Sequence, residues 1–395
     1  MLLAPWLVVA LVVLKATRSA ARVEAPVVTP SDGYVQHCRP GPWGDLQYTK
    51  ILVEPPDEFI SAQALEPEPI RWVFKGYTAE RLHELWAAAG LSGAQIHELE
   101  SPGRIETTPD AIIVKPSADF VLNLSTPART RIYTVLSLFT ENPNQNEPFR
   151  FNTDTVDEWF SNSDLDPSTI ALVKRMIYRR GSSALFSDHD VVLPRLASSE
   201  DRLRLMTTLA RKSTLLVKLR VSPSSDIPML TRYWGHGARS KDIEPFLQSV
   251  SHNPKGTTID IIHLLPRFAR ARLFTYPQPV DHPDDINHDC HWSAFNFLND
   301  PPDERFADAD FVKRSIEHDY APVSGQPSFG DVLVLVRPNG EVIHSCVYIA
   351  DDIVFTKNGA SKVMPWILMK LSDVIAFYPA DPPLTVQDFR RKDQY

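Results

Sequence analysis

Apolar residues recur at helical spacing over much of the chain. Leu82, Leu85, Trp86 and Ala89 predict a helix after Thr78 that ends at Gly90, and residues 92–99 start another. Residues 129–139, 156–160, 167–178 and 202–211 keep the same period, and Asp166-Pro167 is a helix start with proline in the first turn. Further helices are expected over 227–233, 243–250 and 259–265, where Pro266 halts the last. Strands are rarer in this half. Residues 111–114, 120–124 and 215–221 predict them by alternation and β-branching.

The pattern changes after the Pro- and Asp-rich stretch at 276–285. Trp292, Phe295 and Leu298 lie at helical spacing, and Asp289 is a good N-cap, so Cys290 opens that helix. Apolar strands follow at 332–336, 342–349 and 352–357, then the apolar stretch 368–377. Helices before strands indicate an α+β unit of about 100 residues. The expected fold class is α+β: a mostly helical N-terminal region, then a small domain built on an antiparallel sheet. The expected division is a leader at 1–21, an extended linker at 22–68, a mainly helical domain of unknown role at 69–275, the α+β domain at 276–380, and a tail at 381–395.

Composition narrows the function. The 395 residues are 43% hydrophobic, enough for two or three packed domains. A net charge of −8 argues against nucleic acid or an anionic membrane as a general partner. The apolar run 2–14 is too short to span a bilayer, and Ser19-Ala20-Ala21 offers the small residues of a signal-peptidase site. The expectation is a secreted or envelope protein, periplasmic or extracellular. Lys15, Arg18 and Arg22 lie beyond the apolar run, so an uncleaved N-terminal anchor is the alternative and the one expected membrane contact. Cys38, Cys290 and Cys346 are too few for a disulfide framework.

A thiol in the first turn of a helix feels the positive end of the dipole, which favours thiolate. A thiol nucleophile also needs an imidazole base and a group that orients it. His344 lies inside a following strand, where alternation puts it with Cys346 and Tyr348, and puts Ile343, Ser345, Val347 and Ile349 on the other face. Asn358 is the candidate orienting residue, although Asn358-Gly359 is also a turn signal, and Thr356 replaces it in another register. This chemistry calls for no cofactor and no metal.

With Asp289-Cys290 at a helix start, Gly330-Asp331 before an apolar strand, and His344 in a strand running to Val347-Tyr348-Ile349, residues 276–380 resemble the NlpC-type papain-like cysteine peptidases. The resemblance implies a papain-like α+β domain with nucleophile Cys290, base His344, and Asn358 or a neighbour as third residue. It implies a peptide or amide substrate, in that family often a cell-wall peptide, and gives Gly330-Asp331 a structural turn. Three features depart from the pattern: His291 stands where the family has small Ser or Gly, Ser345-Cys346 stands where it has Val or Ala and then Gly, and the third position, often His in the family, is not obviously so here.

Other readings compete. His282, Asp284, Asp285, His288, Cys290 and His291 crowd together and contain enough donors for zinc; a solvated polar loop is the plainer account. A Cys290–Cys346 disulfide would silence the nucleophile. Arg267, Arg270 and Arg272 make a basic stretch, read as a solvated face or a small anion-binding surface. Trp234-Gly235-His236-Gly237 reads as a turn, and Asn123-Leu124-Ser125 fits the glycosylation pattern inside an expected strand. Outside enzymes, the alternative is a catalytically inactive papain-like scaffold or an extracytoplasmic binding protein.

Overall fold

A computed structural model describes residues 35–151, 156–180, 183–277, 288–361, 363–378, 380 and 382–394. The expected leader at 1–21 and most of the stretch 276–285 lie outside them. The chain divides into two compact units. One joins the segment ending at Val53 to the segment beginning at Lys212; the other is 54–211.

The first unit runs β1 (Gln36–His37), β2 (Asp45–Val53), β3 (Lys212–Val221), α1 (Ile227–Trp234), α2 (Ser240–Ser251), β4 (Thr257–Asp260), α3 (Arg267–Arg272), α4 (Cys290–Phe295), α5 (Ala309–Asp319), β5 (Tyr320–Pro322), β6 (Val332–Val336), β7 (Val342–Ala350), β8 (Ile353–Lys357), β9 (Trp366–Lys370), α6 (Leu371–Phe377) and β10 (Thr385–Arg391). Two antiparallel sheets result: four strands in the order β1-β2-β3-β4 and six in the order β5-β10-β6-β7-β8-β9. The fold is α+β with antiparallel sheets, as the patterning implies. Thr214 of β3 exchanges hydrogen bonds with the Leu368 backbone of β9, 3.0 Å each way, and joins the sheets.

The faces of the six-stranded sheet bury different things. Val347, Ile349, Phe355, Trp366 and Leu368 share one core with Trp292, Ala294 and Phe295 of α4. Leu335, Cys346, Tyr348, Val354, Ile367 and Met369 pack with Val374 of α6 on the other side. This is the period-2 alternation of a strand buried on both faces. Two register shifts break it in β7, one against β8 between Tyr348 and Ala350 and one, a bulge, against β6. Val336 pairs with Val342 while Leu335 pairs with His344, so Ile343 is the extra residue and packs with the α6-side cluster instead of beside Ser345.

Gly330-Asp331 is structural. Gly330 has φ +92°, a conformation suited to glycine, as the chain enters β6. The buried Asp331 carboxylate accepts from Ser328 N–H at 2.6 Å and from Arg390 of β10 at 2.7 and 2.5 Å. Trp234-Gly235-His236-Gly237 closes α1 and continues into a loop where Gly237 has φ +74°.

Three expected boundaries give way. Residues 45–53 are not linker but a strand paired along its length with β3. The stretch at 276 does not separate a helical domain from an α+β one, because β3, β4 and α1 to α3 lie in the same core as α4. Residues 385–391 are not tail but β10, between β5 and β6. In each case a pairing between distant segments overrides local pattern.

Residues 54–211 form the second unit, and it is not mainly helical alone. Strands Trp72–Lys75, Ile105–Thr107 and Ala111–Val114 make one three-stranded sheet; Phe149–Phe151, Tyr178–Arg180 and Ser183–Phe186 make another. Buried Trp72 packs its ring on Trp86, Phe120 and Tyr133, with centroids 6.2, 6.2 and 6.0 Å away. The strand expected at 120–124 is instead the helix Ala118–Leu122, because Ser117 Oγ caps the Phe120 N–H at 3.0 Å; Asn123 ends that helix. In the first unit, the helix expected at 259–265 is β4 and then a short 3-10 turn, started by Asp260 capping Ile262 N–H at 2.9 Å.

Candidate functional site

Asp289 sets the start of α4. Its Oδ1 accepts the Trp292 N–H at 2.9 Å, and its carbonyl accepts from Ser293 Oγ at 2.6 Å. Ser293 Oγ in turn accepts the Trp366 Nε1–H at 2.8 Å, which ties α4 to β9. Cys290 follows as the first helical residue, 5% exposed.

Its nearest base is its chain neighbour. The ligand atoms of Asp289, Cys290 and His291 all lie within 4.8 Å of one another. His291 Nδ1 is 2.9 Å from Ser345 Oγ of β7, which holds the ring against the sheet. Burial alone pushes the Cys290 thiol up; the charges of His291 and His344 and a hydrogen bond with His291 outweigh it and bring it down to about 6. Burial pushes the His291 imidazole down; the Cys290 charge and hydrogen bond, with Asp289, outweigh it and bring it up to about 9. At neutral pH the pair is thiolate and imidazolium. Of the groups that lower the thiol, His291 acts most strongly, by charge and by hydrogen bond.

His344 shares the face of Cys346 and Tyr348, as alternation implies, and that face is not the one α4 packs on. Alternation turns Ser345 toward α4, so His344 points to the α6 side, where its ring stacks on Tyr378 at 4.7 Å. Its Nε2 is 2.9 Å from Thr356 Oγ1, and Thr356 Oγ1 donates to Asn358 Oδ1 at 3.3 Å. Thr356, not Asn358, is the direct partner; Asn358 is one step further and donates to Met369 Sδ at 3.1 Å. Among the described residues no hydrogen bond joins His344 to Cys290, and His344 Nδ1 is buried without a partner. The structure thus links His344 with Asn358 through Thr356, and links Cys290 with His291 and Ser345. Between the two groups runs charge: His344 lowers the Cys290 thiol.

Lys357 completes the α4 side. Buried in β8 opposite Trp366, it donates from Nζ to the carbonyls of Gly359 and Ser361 at 2.7 and 3.2 Å. Burial brings it down to about 8, and Cys290 and Asp289 pull it back up. Cys346 is fully buried on the α6 side, its thiol raised by burial and by the Cys290 charge. All three cysteines are free, so the Cys290–Cys346 disulfide is not formed. Of the zinc donors, His282, Asp284 and Asp285 lie outside the described residues. His288 stacks on Trp292 at 3.6 Å and bonds Glu304 at 2.9 Å.

Sequence reasoning passed over His291 and Ser345. The signal for Ser345 was present: it is the polar position on an otherwise apolar strand face. His291 registered as a candidate zinc donor and as a departure from a family pattern, not as the thiol's base. No family model matches the chain, and neither does any curated protein or solved structure.

Proposed function

We propose that the protein is a thiol-dependent hydrolase of amides or esters, with Cys290 as nucleophile and His291 as its proton carrier. The observation that carries this reading is the Cys290–His291 pair, a thiol brought down to about 6 beside an imidazole brought up to about 9. Ser345 is the positioning residue that fixes the ring. A cysteine-opened helix packed on an antiparallel sheet, with Gly330-Asp331 and His344 in their strands, supports a papain-like arrangement for this unit. The resemblance to NlpC-type peptidases adds a peptide substrate, in a cell-wall setting reached by export through the leader. No helix among the described residues is long and apolar enough to cross a membrane.

The reaction follows from the pair. The thiolate attacks the carbonyl carbon and a C–S bond forms. The His291 imidazolium gives its proton to the departing nitrogen or oxygen as the C–N or C–O bond breaks. Neutral His291 then takes a proton from water, whose oxygen attacks the thioester, and the acid leaves as the C–S bond breaks. The thiolate and imidazolium are restored. His344 makes no hydrogen bond to the thiol among the described residues and takes no proton in this scheme.

The thiol's 5% exposure favours a second reading, a papain-like scaffold without turnover. One experiment separates them: alkylation of the reduced protein with iodoacetamide, read at Cys290 by peptide mass spectrometry across pH. The hydrolase reading expects modification whose rate rises with a midpoint near 6 and is lost in Cys290→Ser. A Cys290 that stays unmodified, or titrates like a free thiol, selects the scaffold.

A further inference from the structure

The metal donors suggested by the sequence regroup in the structure. His288 is engaged elsewhere, its ring stacked on Trp292 at 3.6 Å and its Nε2 2.9 Å from Glu304. Asp289 takes its place. One ligand atom each from Asp289, Cys290 and His291 lie within 4.8 Å of one another. Donors held about 2.0–2.3 Å from a tetrahedral zinc stand roughly 3.3–3.8 Å apart. Small side-chain rotations therefore bring this set onto one metal.

The three donors differ in chemistry and in how they are held. Cys290 supplies a thiolate, a soft ligand that selects zinc over calcium or magnesium. Ser345 Oγ holds His291 by Nδ1 at 2.9 Å, which leaves Nε2 to ligate. A metal-binding imidazole almost always has such a partner on its other nitrogen. Asp289 gives one oxygen to the helix: Oδ1 accepts the Trp292 N–H at 2.9 Å, while Oδ2 has no hydrogen bond among the described residues. Asp289 and His291 are half-buried, which gives a metal a way in beside a thiol that is itself 5% exposed.

The charges fit a cation. Lys357, which feels both Cys290 and Asp289, does not fill the set, because its ammonium is turned to the carbonyls of Gly359 and Ser361 at 2.7 and 3.2 Å. A divalent metal would replace the proton between thiolate and imidazole, and a water would take the fourth position.

We propose that Asp289, Cys290 and His291 form a reversible zinc site that shuts off the nucleophile when loaded. The shut-off rests on the thiol hydrolase reading; the site itself is tested without turnover. Cobalt(II) added to the reduced protein is the probe, since a cobalt–thiolate bond gives an intense near-ultraviolet charge-transfer band. The wild type is expected to develop that band, to saturate at one metal per chain, and to lose the band to added zinc. Cys290→Ser is expected to abolish it. Asp289→Asn keeps a good helix cap but removes the anionic oxygen, and is expected to weaken binding about tenfold or more, while His288→Gln leaves it unchanged. Zinc is expected to slow iodoacetamide modification of Cys290 about tenfold or more, and a chelator to restore it. No band in the wild type, or a band that survives Cys290→Ser, overturns the site while the nucleophile stands on its own alkylation midpoint. Equal affinity in Asp289→Asn overturns the three-donor set. A saturated band with an unchanged alkylation rate overturns the shut-off. If the band forms but iodoacetamide never modifies Cys290, the site stands, and the hydrolase reading falls together with the shut-off.

Discussion

In the proposed hydrolase, reactivity turns on His291. The Cys290 thiol is depressed, so its thiolate is present above about 6 and lost as pH falls through that value. The His291 imidazole is raised, so its charge is present below about 9 and lost as pH rises through it. A hydrolysis rate that needs both is expected to be bell-shaped, with limbs near 6 and 9 that belong to the coupled pair. His291→Gln removes the largest charge favouring the thiolate. Its alkylation midpoint is expected to move up beyond 8, and His344→Gln, at a ring with no hydrogen bond to the thiol, to move it less. Equal shifts, or a larger one from His344, would restore His344 as the operative base. Ser345→Ala keeps both titrating groups and frees the ring. It is expected to lower kcat more than it shifts the limbs, which a merely structural role would not do. Cys290 was legible in the sequence because capping and spacing are local. The choice between His291 and His344 was not, because it depends on which face of β7 each ring meets.

At the scale of elements, local chemistry decides more than apolar content. Residues 120–124 look like a strand by composition, yet Ser117 supplies a cap and the chain turns helical. The same helical neighbourhood shelters an ion pair. Arg129, fully buried, meets Asp188 Oδ2 at 3.0 Å, while Tyr133 donates to Asp188 Oδ1 and the guanidinium also donates to the Val121 carbonyl. No local pattern announces a pair fifty-odd residues apart. Removing one partner strands the other charge where water cannot reach it. Asp188→Ala is expected to destabilise residues 54–211 by about 3–5 kcal/mol, seen as a lower denaturant midpoint. A change under about 1 kcal/mol would mean that the pair adds little beyond its own desolvation.

For the whole molecule, the informative fact is where one unit interrupts the other. Val53 and Lys212 are register partners at the end of the β2–β3 pair, so residues 54–211 occupy the place of a hairpin turn. The inserted unit ties its own ends together: Glu54 Oε2 accepts from Arg211 Nε at 2.7 Å, and Arg211 also donates to the carbonyls of Trp159 and Ser161 at 2.8 and 2.9 Å. Reading in chain order hides this, because the strands that close the first unit are separated by a whole folded unit. The Pro-rich stretch at 276 was the visible break in pattern, but chain connectivity does not report which strands pair. An insertion whose termini meet can be removed at low loop-closure cost. Replacing residues 54–211 with Asn-Gly, which favours the tight turn of a two-residue hairpin, is expected to leave a protein that folds and keeps the Cys290 alkylation midpoint near 6. Residues 54–211 made alone are expected to unfold in one cooperative transition. If the shortened chain loses the midpoint although its near-ultraviolet dichroism persists, the inserted unit has a part in the thiol's environment, and the division into a reactive unit and an independent insert fails.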